Sequence, residues 1–428
     1  MKKVLIITYY WPPSGGSGVQ RWLKFAKYLR GFSWESIIYT PHQGEFPVID
    51  KSLEKDVPQN LEIIKTPIRE PYNLYKKITG NKDAQTVSFL KEGKSGIIQK
   101  MFQWVRGNFF IPDPRIFWVK PSIKFLAGYL KENPVNIVVT TGPPHSLHLI
   151  GLGLKRKLNV TWVADFRDPW TNIDYYKDLY LTKWADKRHR ELEKDVLSTA
   201  DTVVTVGETL ANELQNLGAK RTVVITNGYD SDDYKSVSSV SNVFSFVHVG
   251  LLSKTRSHPA LWRAFANFLQ KIPEAKSELK IKLVGKTDYS AIQEIKRAGI
   301  EAFVEKINYV DHEEVVRIQQ GAWIFLLPIN RTPNSKGIIS GKIFEYMAAG
   351  KPILAIGDTD GDVAQIISDS NSGVIFDFDD VSGISGYMEK MYLEFKRNFR
   401  QVSTSNIEKY SRRELTQKLA RELNHLSG

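Results

Sequence analysis

Apolar positions along the chain fall into short runs separated by polar, glycine-rich turns. Val4–Thr8 is a β-rich apolar run, and a Pro/Gly/Ser loop follows from Trp11 to Gly18. Beyond it Val19, Trp22, Leu23, Ala26 and Leu29 share roughly one helical face. Ser36–Thr40 is strand-like again. Strand, glycine loop, helix and strand in that order predict a parallel α/β sheet. The alternation recurs through strands at Asn136–Thr140, Val160–Ala164, Thr202–Val206 and Thr222–Thr226, with helices running to Lys157 and starting near Glu208. Residues 229–243 are polar and serine-rich without an apolar period, as a linker would be.

The pattern then restarts. Strands are predicted at Phe244–Val249, Leu279–Val284, Trp323–Leu327, Ile353–Ile356 and Val374–Phe378. Helices are predicted at Pro259–Leu269, Gly341–Ala349 and Val363–Ser368. The prediction is two doubly wound, Rossmann-like domains, 1–235 and 236–400. Residues 401–428 carry a charged amphipathic helix, Ser411–Leu426, able to pack back on the first domain. Residues 65–131 break the alternation and are rich in basic and aromatic residues, as an insertion over one end of the first sheet would be. Insertions of that length usually serve as lids or binding surfaces.

Composition narrows the picture. Of 428 residues, 42% are apolar and 25% charged, an ordinary globular mix. With no cysteine, disulfides, thiolate nucleophiles and Cys-based zinc sites are excluded, and a reducing compartment fits. No run reaches the roughly 18 apolar residues that span a bilayer. The apolar run behind Lys2 and Lys3 is too short for a signal-peptide core. The net charge of +12 leaves nucleic acid, anionic lipid, a phosphorylated substrate or mere solubility open.

Four motifs stand at predicted strand ends, where ligands of open α/β sheets bind. PPSGGSGVQR, from Pro12 to Arg21, opens a helix; Gly15 and Gly16 let a ligand approach backbone N–H groups. It lacks the dinucleotide G-x-G-x-x-G spacing, and no acid ends the second strand. Arg21 reads equally well as a surface residue. GLLSKTRSHP, from Gly250 to Pro259, places Lys254 and Arg256 where a diphosphate could be held, or where two solvated loop charges would sit. In SGKIFEYMAAGKPILAIG, Gly341 and Lys342 open a helix, and Glu345 shares a face with Lys342. A carboxylate there suits two ribose hydroxyls; a plain Lys–Glu helix pair is the competing reading. ADFRDPW, from Ala164 to Trp170, sets two carboxylates and an arginine at a strand end; Asp168 is its candidate reacting group, or a turn cap before Pro169. His145 and His148 follow the preceding strand. Asp358/Asp360 and Asp377/Asp379 look like D-x-D metal sites but lack further ligands, so no metal is expected.

Taken together, the two tandem domains, the N-terminal glycine loop, the VG…K-x-R segment and K-x-x-E-Y-M-A-A-G-K-P-I resemble GT-B glycosyltransferases of family 4 over nearly the whole chain. WPP…GG…R and D-x-R-D-x-W resemble the subgroup of surface-polysaccharide assembly. The resemblance implies two domains facing across a cleft and a retaining, metal-independent transfer from a nucleoside-diphosphate sugar, with no other cofactor. By that resemblance Gly15 and Gly16 face the donor diphosphate, while Lys254 and Arg256 hold its phosphates. Gly341 and Lys342 stand at the phosphate-facing helix start, Glu345 binds the ribose, and Asp168 and His145 lie beside the reacting sugar. The first Glu of the family's E-x7-E motif is absent, its position taken by Gly337. A lipid-linked or polysaccharide acceptor is implied.

The charge then finds a place. Residues 65–131 hold 13 Lys and Arg against four acids, a local excess of +9. Basic residues interleaved with aromatics suit anionic headgroups. Lys91, Lys94, Lys100, Trp104 and Arg106 are therefore assigned to an acceptor and membrane side, with the protein cytoplasmic and peripheral at the inner face of the membrane. Two alternatives stand beside this reading. One is a GT-B nucleotide-sugar epimerase; the other is a non-enzymatic basic protein of membranes or nucleic acid. No nucleic-acid module is present, and no nucleic-acid partner is expected.

Overall fold

A computed structural model describes residues 1–46, 49–70, 97–234, 243–308, 310–397 and 404–428. Lys91 and Lys94 lie outside them. The chain forms two compact units: Met1–Thr226 with Arg412–Gly428, and Asn227–Ser411. The units meet in sequence at Thr226, short of the expected join near 235, and the chain passes between them twice.

Unit 1 holds a seven-stranded sheet of β1 (Lys2–Ile7), β2 (Trp34–Pro41), β3 (Glu62–Thr66), β4 (Ile137–Gly142), β5 (Trp162–Phe166), β6 (Thr202–Thr205) and β7 (Thr222–Val224). Every pairing is parallel, in the order β3-β2-β1-β4-β5-β6-β7. Its helices are α1 (Ser17–Leu29), α2 (Ile97–Phe109), α3 (Ile116–Glu132), α4 (Ser146–Leu158), α5 (Lys183–Thr199) and α6 (Glu208–Asn216). The C-terminal helix, Arg412–Leu426, belongs to the same unit.

The apolar run of β1 has a direct explanation. Successive side chains of a strand point to opposite faces. Val4 and Ile6 pack with Val19, Trp22 and Leu23 of α1 and with Leu415, Leu419 and Leu423 of the C-terminal helix. Leu5 and Ile7 pack on the other face with Trp118 and Leu126 of α3 and Leu147 and Ile150 of α4. A strand with a core on each side has no polar face to show. The C-terminal helix is also tied by polar contacts: Arg221 donates two bonds to Glu422 at 2.9 and 2.8 Å, and Trp34 donates to Asn424 at 3.2 Å.

Unit 2 holds six parallel strands: β8 (Phe244–Val249), β9 (Leu279–Val284), β10 (Val304–Ile307), β11 (Ile324–Pro328), β12 (Ile353–Ile356) and β13 (Gly373–Phe376). Their order is β10-β9-β8-β11-β12-β13. The helices are α7 (Pro259–Lys271), α8 (Tyr289–Arg297), α9 (His312–Gln320), α10 (Lys342–Ala348), α11 (Asp362–Ser370) and α12 (Val381–Lys396); the C-terminal helix is then α13. In each unit the strand order reverses once, between β1 and β4 and between β8 and β11. Such a reversal opens a crevice at the carboxyl ends of the strands.

Two expectations change. Residues 65–131 are not one insertion. Residues 62–66 form edge strand β3, and α3 is the helix that crosses from β3 to β4, with Trp118 fully buried and stacked on Tyr39 at 5.0 Å. Arg21 is not a surface residue. Its guanidinium is wholly buried and paired with Asp165 at 2.9 Å.

The Asp165 carboxylate also accepts from Trp22 Nε1 at 2.6 Å and Thr141 Oγ1 at 2.8 Å, and Arg21 donates to the Thr226 carbonyl at 2.9 Å. Removing one partner of a buried pair strands the other charge and costs about 3–5 kcal/mol. Asp165→Ala is expected to destabilise unit 1 by that amount in denaturant unfolding, and Arg21→Met combined with Asp165→Leu to recover much of the loss. A single-variant loss under about 1 kcal/mol, the range of an exposed pair, would contradict the assignment.

Candidate functional site

Unit 2 gathers its predicted residues at the β8/β11 reversal. Gly250 ends β8 with φ +100, a conformation glycine adopts without strain. A Cβ there would meet Lys342 Cε at 2.6 Å and Nζ at 2.8 Å, so the Lys342 side chain lies directly over the bare glycine backbone. Gly285, also at positive φ, backs the same turn, and a Cβ on it would press on the Gly250 backbone at 3.0–3.2 Å. Lys254–Arg256 forms a single 3₁₀ turn after β8. Within it Lys254 is exposed, while half-buried Arg256 turns inward, donating to Asn330 Oδ1 beyond β11 and to the Leu251 carbonyl at 3.3 Å.

Burial, and then Arg256, lower the Lys342 amine to about 7, with Glu345 opposing the shift. Glu345 is oriented from behind. Gln319 Nε2 donates to its carboxylate at 3.2 Å, and the Tyr234 hydroxyl donates to Gln319 Oε1 at 2.8 Å. Burial and the Glu345 charge raise the Tyr234 hydroxyl, so it stays protonated as a donor. Beneath, His248 bonds the Leu326 carbonyl through Nδ1 at 3.1 Å; burial and Lys342 hold it at about 3, hence neutral. Gly341 immediately precedes α10, and no side chain caps that end. Gly337 ends a 3₁₀ turn and contributes no side chain. The arrangement sets Arg256 and the Lys342 amine at the Gly250 turn, with the pre-oriented Glu345 carboxylate one helical turn from Lys342.

Unit 1 places the others around the β1/β4 reversal. Gly15 is buried, and Gly16, φ +95, heads α1 with open space where a Cβ would stand. Arg167 covers Gly18 and donates to the carbonyls of Gly142 and Pro143. The D-x-R-D motif therefore splits three ways: Asp165 inward to Arg21, Arg167 to backbone, Asp168 outward. Surrounding protein raises the Asp168 carboxyl, with Arg167 opposing the shift, although the residue is exposed and water weakens the effect. His145 is nine-tenths buried and stacked on Trp170 at 5.1 Å, and neither ring nitrogen completes a hydrogen bond. Burial and then His148 keep it neutral. His148 is wholly buried against Phe166 and bonds Thr140. Asp113, from the aromatic-basic segment, accepts from Ser146 N and Oγ at 2.8 and 2.9 Å and so anchors the start of α4. Arg106 of α2 acts on the Tyr175 hydroxyl together with Asp168, Asp174 and Asp113; burial dominates and raises that hydroxyl to about 12. Lys100 and Trp104 are exposed on α2, beside exposed Met101 and Phe109.

Gln319, Tyr234, Asn330 and His248 were not singled out as functional by sequence reasoning. Gln319, with Tyr234 behind it, holds Glu345, and Asn330 holds Arg256; of the four, Asn330, just beyond β11, sits where a strand-end rule points. Among the described residues no three His, Asp or Glu side chains gather as a metal site. Asp360 pairs with Lys336, and Asp379 takes two bonds from Arg331.

Residues 244–393 match the family described as glycosyl transferases group 1, and residues 86–233 match Glycosyltransferase Family 4. The chain is a GT-B glycosyltransferase. No curated protein matches it by sequence. Among solved structures the transferase is similar to sucrose-phosphate synthase from Thermosynechococcus elongatus, at 13% identity and TM-score 0.65 over 100% of this chain and 99% of that one. It is similar to WaaG, a glycosyltransferase involved in lipopolysaccharide biosynthesis, at 13% identity and TM-score 0.57 over 98% and 99%. An E. coli trehalose-6-phosphate structure bound with UDP-2-fluoro glucose aligns at 11% identity and TM-score 0.61 over 99% of each chain. At these identities the likenesses establish the fold.

Gly250 and Gly16 share nearly the same φ, but only at Gly250 would a methyl group strike a neighbour. Both alanine variants carry backbone strain of about 1–3 kcal/mol; the atoms met at Gly250 are the flexible end of Lys342, so Gly250→Ala is expected to lose about as much stability as Gly16→Ala while displacing the Lys342 amine. Denaturant midpoints check this; a much larger loss for Gly250→Ala would contradict it.

Proposed function

We propose that the protein is a retaining, metal-independent glycosyltransferase that moves a sugar from a nucleoside-diphosphate donor to a lipid-linked or polysaccharide acceptor in cell-surface glycan synthesis. The observation that carries the donor reading is the convergence of Arg256, Lys342 and Glu345 on the bare Gly250 turn. Arg256 and Lys342 hold the diphosphate, Glu345 takes the ribose hydroxyls, and the open start of α10 adds backbone N–H groups at Gly341. Lys254, exposed on the same turn, is left as a peripheral cation. That the solved E. coli structure carries a UDP sugar in the same fold supports the donor class.

When the glycosyl C1–O bond breaks, its electron pair goes to the diphosphate, the acceptor hydroxyl oxygen bonds C1 on the same face, and its proton passes to the leaving phosphate. The two cations stabilise that developing charge, the role a metal plays elsewhere. Asp168, exposed just after β5, is assigned to stabilising positive charge on the sugar. His145, buried and stacked, is assigned to positioning beside it. Gly16, with buried Gly15 before it, is assigned to keeping backbone accessible at the head of α1.

Acceptor handling is assigned to unit 1. Lys100, Trp104, Met101 and Phe109 give α2 an exposed apolar and cationic surface for an anionic inner-membrane face. Among the described residues no helix is long and apolar enough to cross a membrane, which fits peripheral attachment. Arg106 is set toward Tyr175 and the carboxylates, where an acceptor's hydroxyls would arrive.

Assay of the purified protein with a panel of nucleotide sugars and lipid-linked acceptors tests the reading. Transfer should retain anomeric configuration and survive chelators, and Arg256→Ala or Glu345→Ala should each cut kcat/KM by about 100-fold or more. Product from donor alone would instead indicate epimerisation, and unchanged transfer in either variant would remove that residue from the donor site. Binding to anionic vesicles should fall with salt and on reversing Lys91, Lys94 and Lys100 to Glu; salt-insensitive binding would contradict the membrane assignment.

A further inference from the structure

We propose that donor binding is coupled to proton uptake at Lys342, so that Arg256 and Lys342, rather than Arg256 and Lys254, form the diphosphate clamp and the clamp is fully charged only when occupied. This rests on the nucleoside-diphosphate reading above. The geometry comes first. Lys342 is stretched over Gly250, with its Cε and Nζ within 2.6 and 2.8 Å of where any side chain would start. Its side chain therefore occupies the space over the strand end, whereas Lys254 stands exposed on the turn.

The groups facing the Lys342 amine come from three elements. His248 on β8 is neutral, and its Nδ1 is committed to the Leu326 carbonyl of β11. Arg256, on the turn after β8, is a second cation held in place by Asn330. Glu345 on α10 is the one carboxylate acting on the amine, and it is shared with Gln319 of α9. Among the described residues no hydrogen bond or ion pair is formed by Lys342 itself. A cation desolvated beside another cation, with one diverted carboxylate for compensation, favours the neutral amine, consistent with its lowering to about 7. A diphosphate placed between Arg256 and Lys342 reverses the balance. Its negative charge favours the ammonium, so a proton is drawn from solvent as the ligand binds. The sign follows. Below the lowered value Lys342 is already charged, and affinity is independent of pH. Above it each binding event must add a proton, and affinity falls as pH rises.

The test is titration calorimetry of the full chain with UDP, GDP and ADP between about pH 7.5 and 9, where a nucleotide's terminal phosphate, pKa about 6, is already ionised. Each measurement is repeated in two buffers of different ionisation enthalpy. The wild type should take up roughly 0.9 proton per nucleotide near pH 8 and weaken about tenfold for each pH unit above that. Lys342→Arg should bind with neither uptake nor pH dependence, because its charge is permanent. Lys342→Met should bind weakly, also without uptake, and Lys254→Met should behave as wild type. Melting curves of the free variants confirm folding. Nucleotide binding without uptake in the wild type, or uptake that survives in Lys342→Met, overturns the proposal while leaving the donor reading intact. Failure of all three nucleotides to bind at any pH overturns the donor reading itself.

Discussion

The carboxylate of Asp165 has no exposed surface and accepts bonds from Arg21, Trp22 and Thr141. Four segments meet there. Arg21 and Trp22 belong to the helix behind the Gly15–Gly16 loop, Thr141 to the end of β4, Asp165 to β5, and Thr226, bonded by the other arm of Arg21, to the end of unit 1's first segment. A buried charge tolerates little displacement, since every lost bond leaves an unpaired group at low dielectric. The pair therefore fixes the register of the glycine loop against the TGPP and D-x-R-D loops. Asp168 can face outward because Asp165, three residues before it, is anchored inward.

Unit 2 uses the opposite device. There a glycine at positive φ leaves room for a lysine, and the lysine is set beside an arginine without full compensation. On the donor reading, an anion of the right size would relieve that crowding. Rigid support comes from neutral groups: Gln319 and Tyr234 behind Glu345, Asn330 behind Arg256, and His248 beneath Lys342. A site of charged groups held by neutral ones keeps its field directed at the ligand.

Much of the fold was legible in the chain. β1, β2, β4, β5 and β8 announce themselves because both faces are buried, so their apolar runs are nearly continuous. Edge strands β3 and β10 escaped notice because they are short, carry exposed Glu and Lys, and bury no residue fully. α3 was folded into a supposed insertion because its Lys120, Pro121 and Lys124 obscured the helical face that carries Trp118 and Leu126. Of the candidate site, Arg256, Lys342 and Glu345 were named from strand-end and helix-start rules, and the structure brings them together. Lys254 was named by the same rules, and its exposure separates it from them. Which charge turns inward depends on a tertiary partner, Asn330, 74 residues from Arg256, and no local pattern records it. Arg21 shows the same limit, since its partner Asp165 is 144 residues away.

The central claim is that the Gly250 turn of unit 2 receives the diphosphate of the donor. A crystal structure of the chain grown with the nucleoside diphosphate that binds most tightly tests it most directly. The account predicts phosphate oxygens within hydrogen-bonding distance of Arg256 and Lys342 and ribose hydroxyls on Glu345. A nucleotide seated elsewhere, with Arg256 still closed on Asn330 and Lys342 still resting on Gly250, would contradict it.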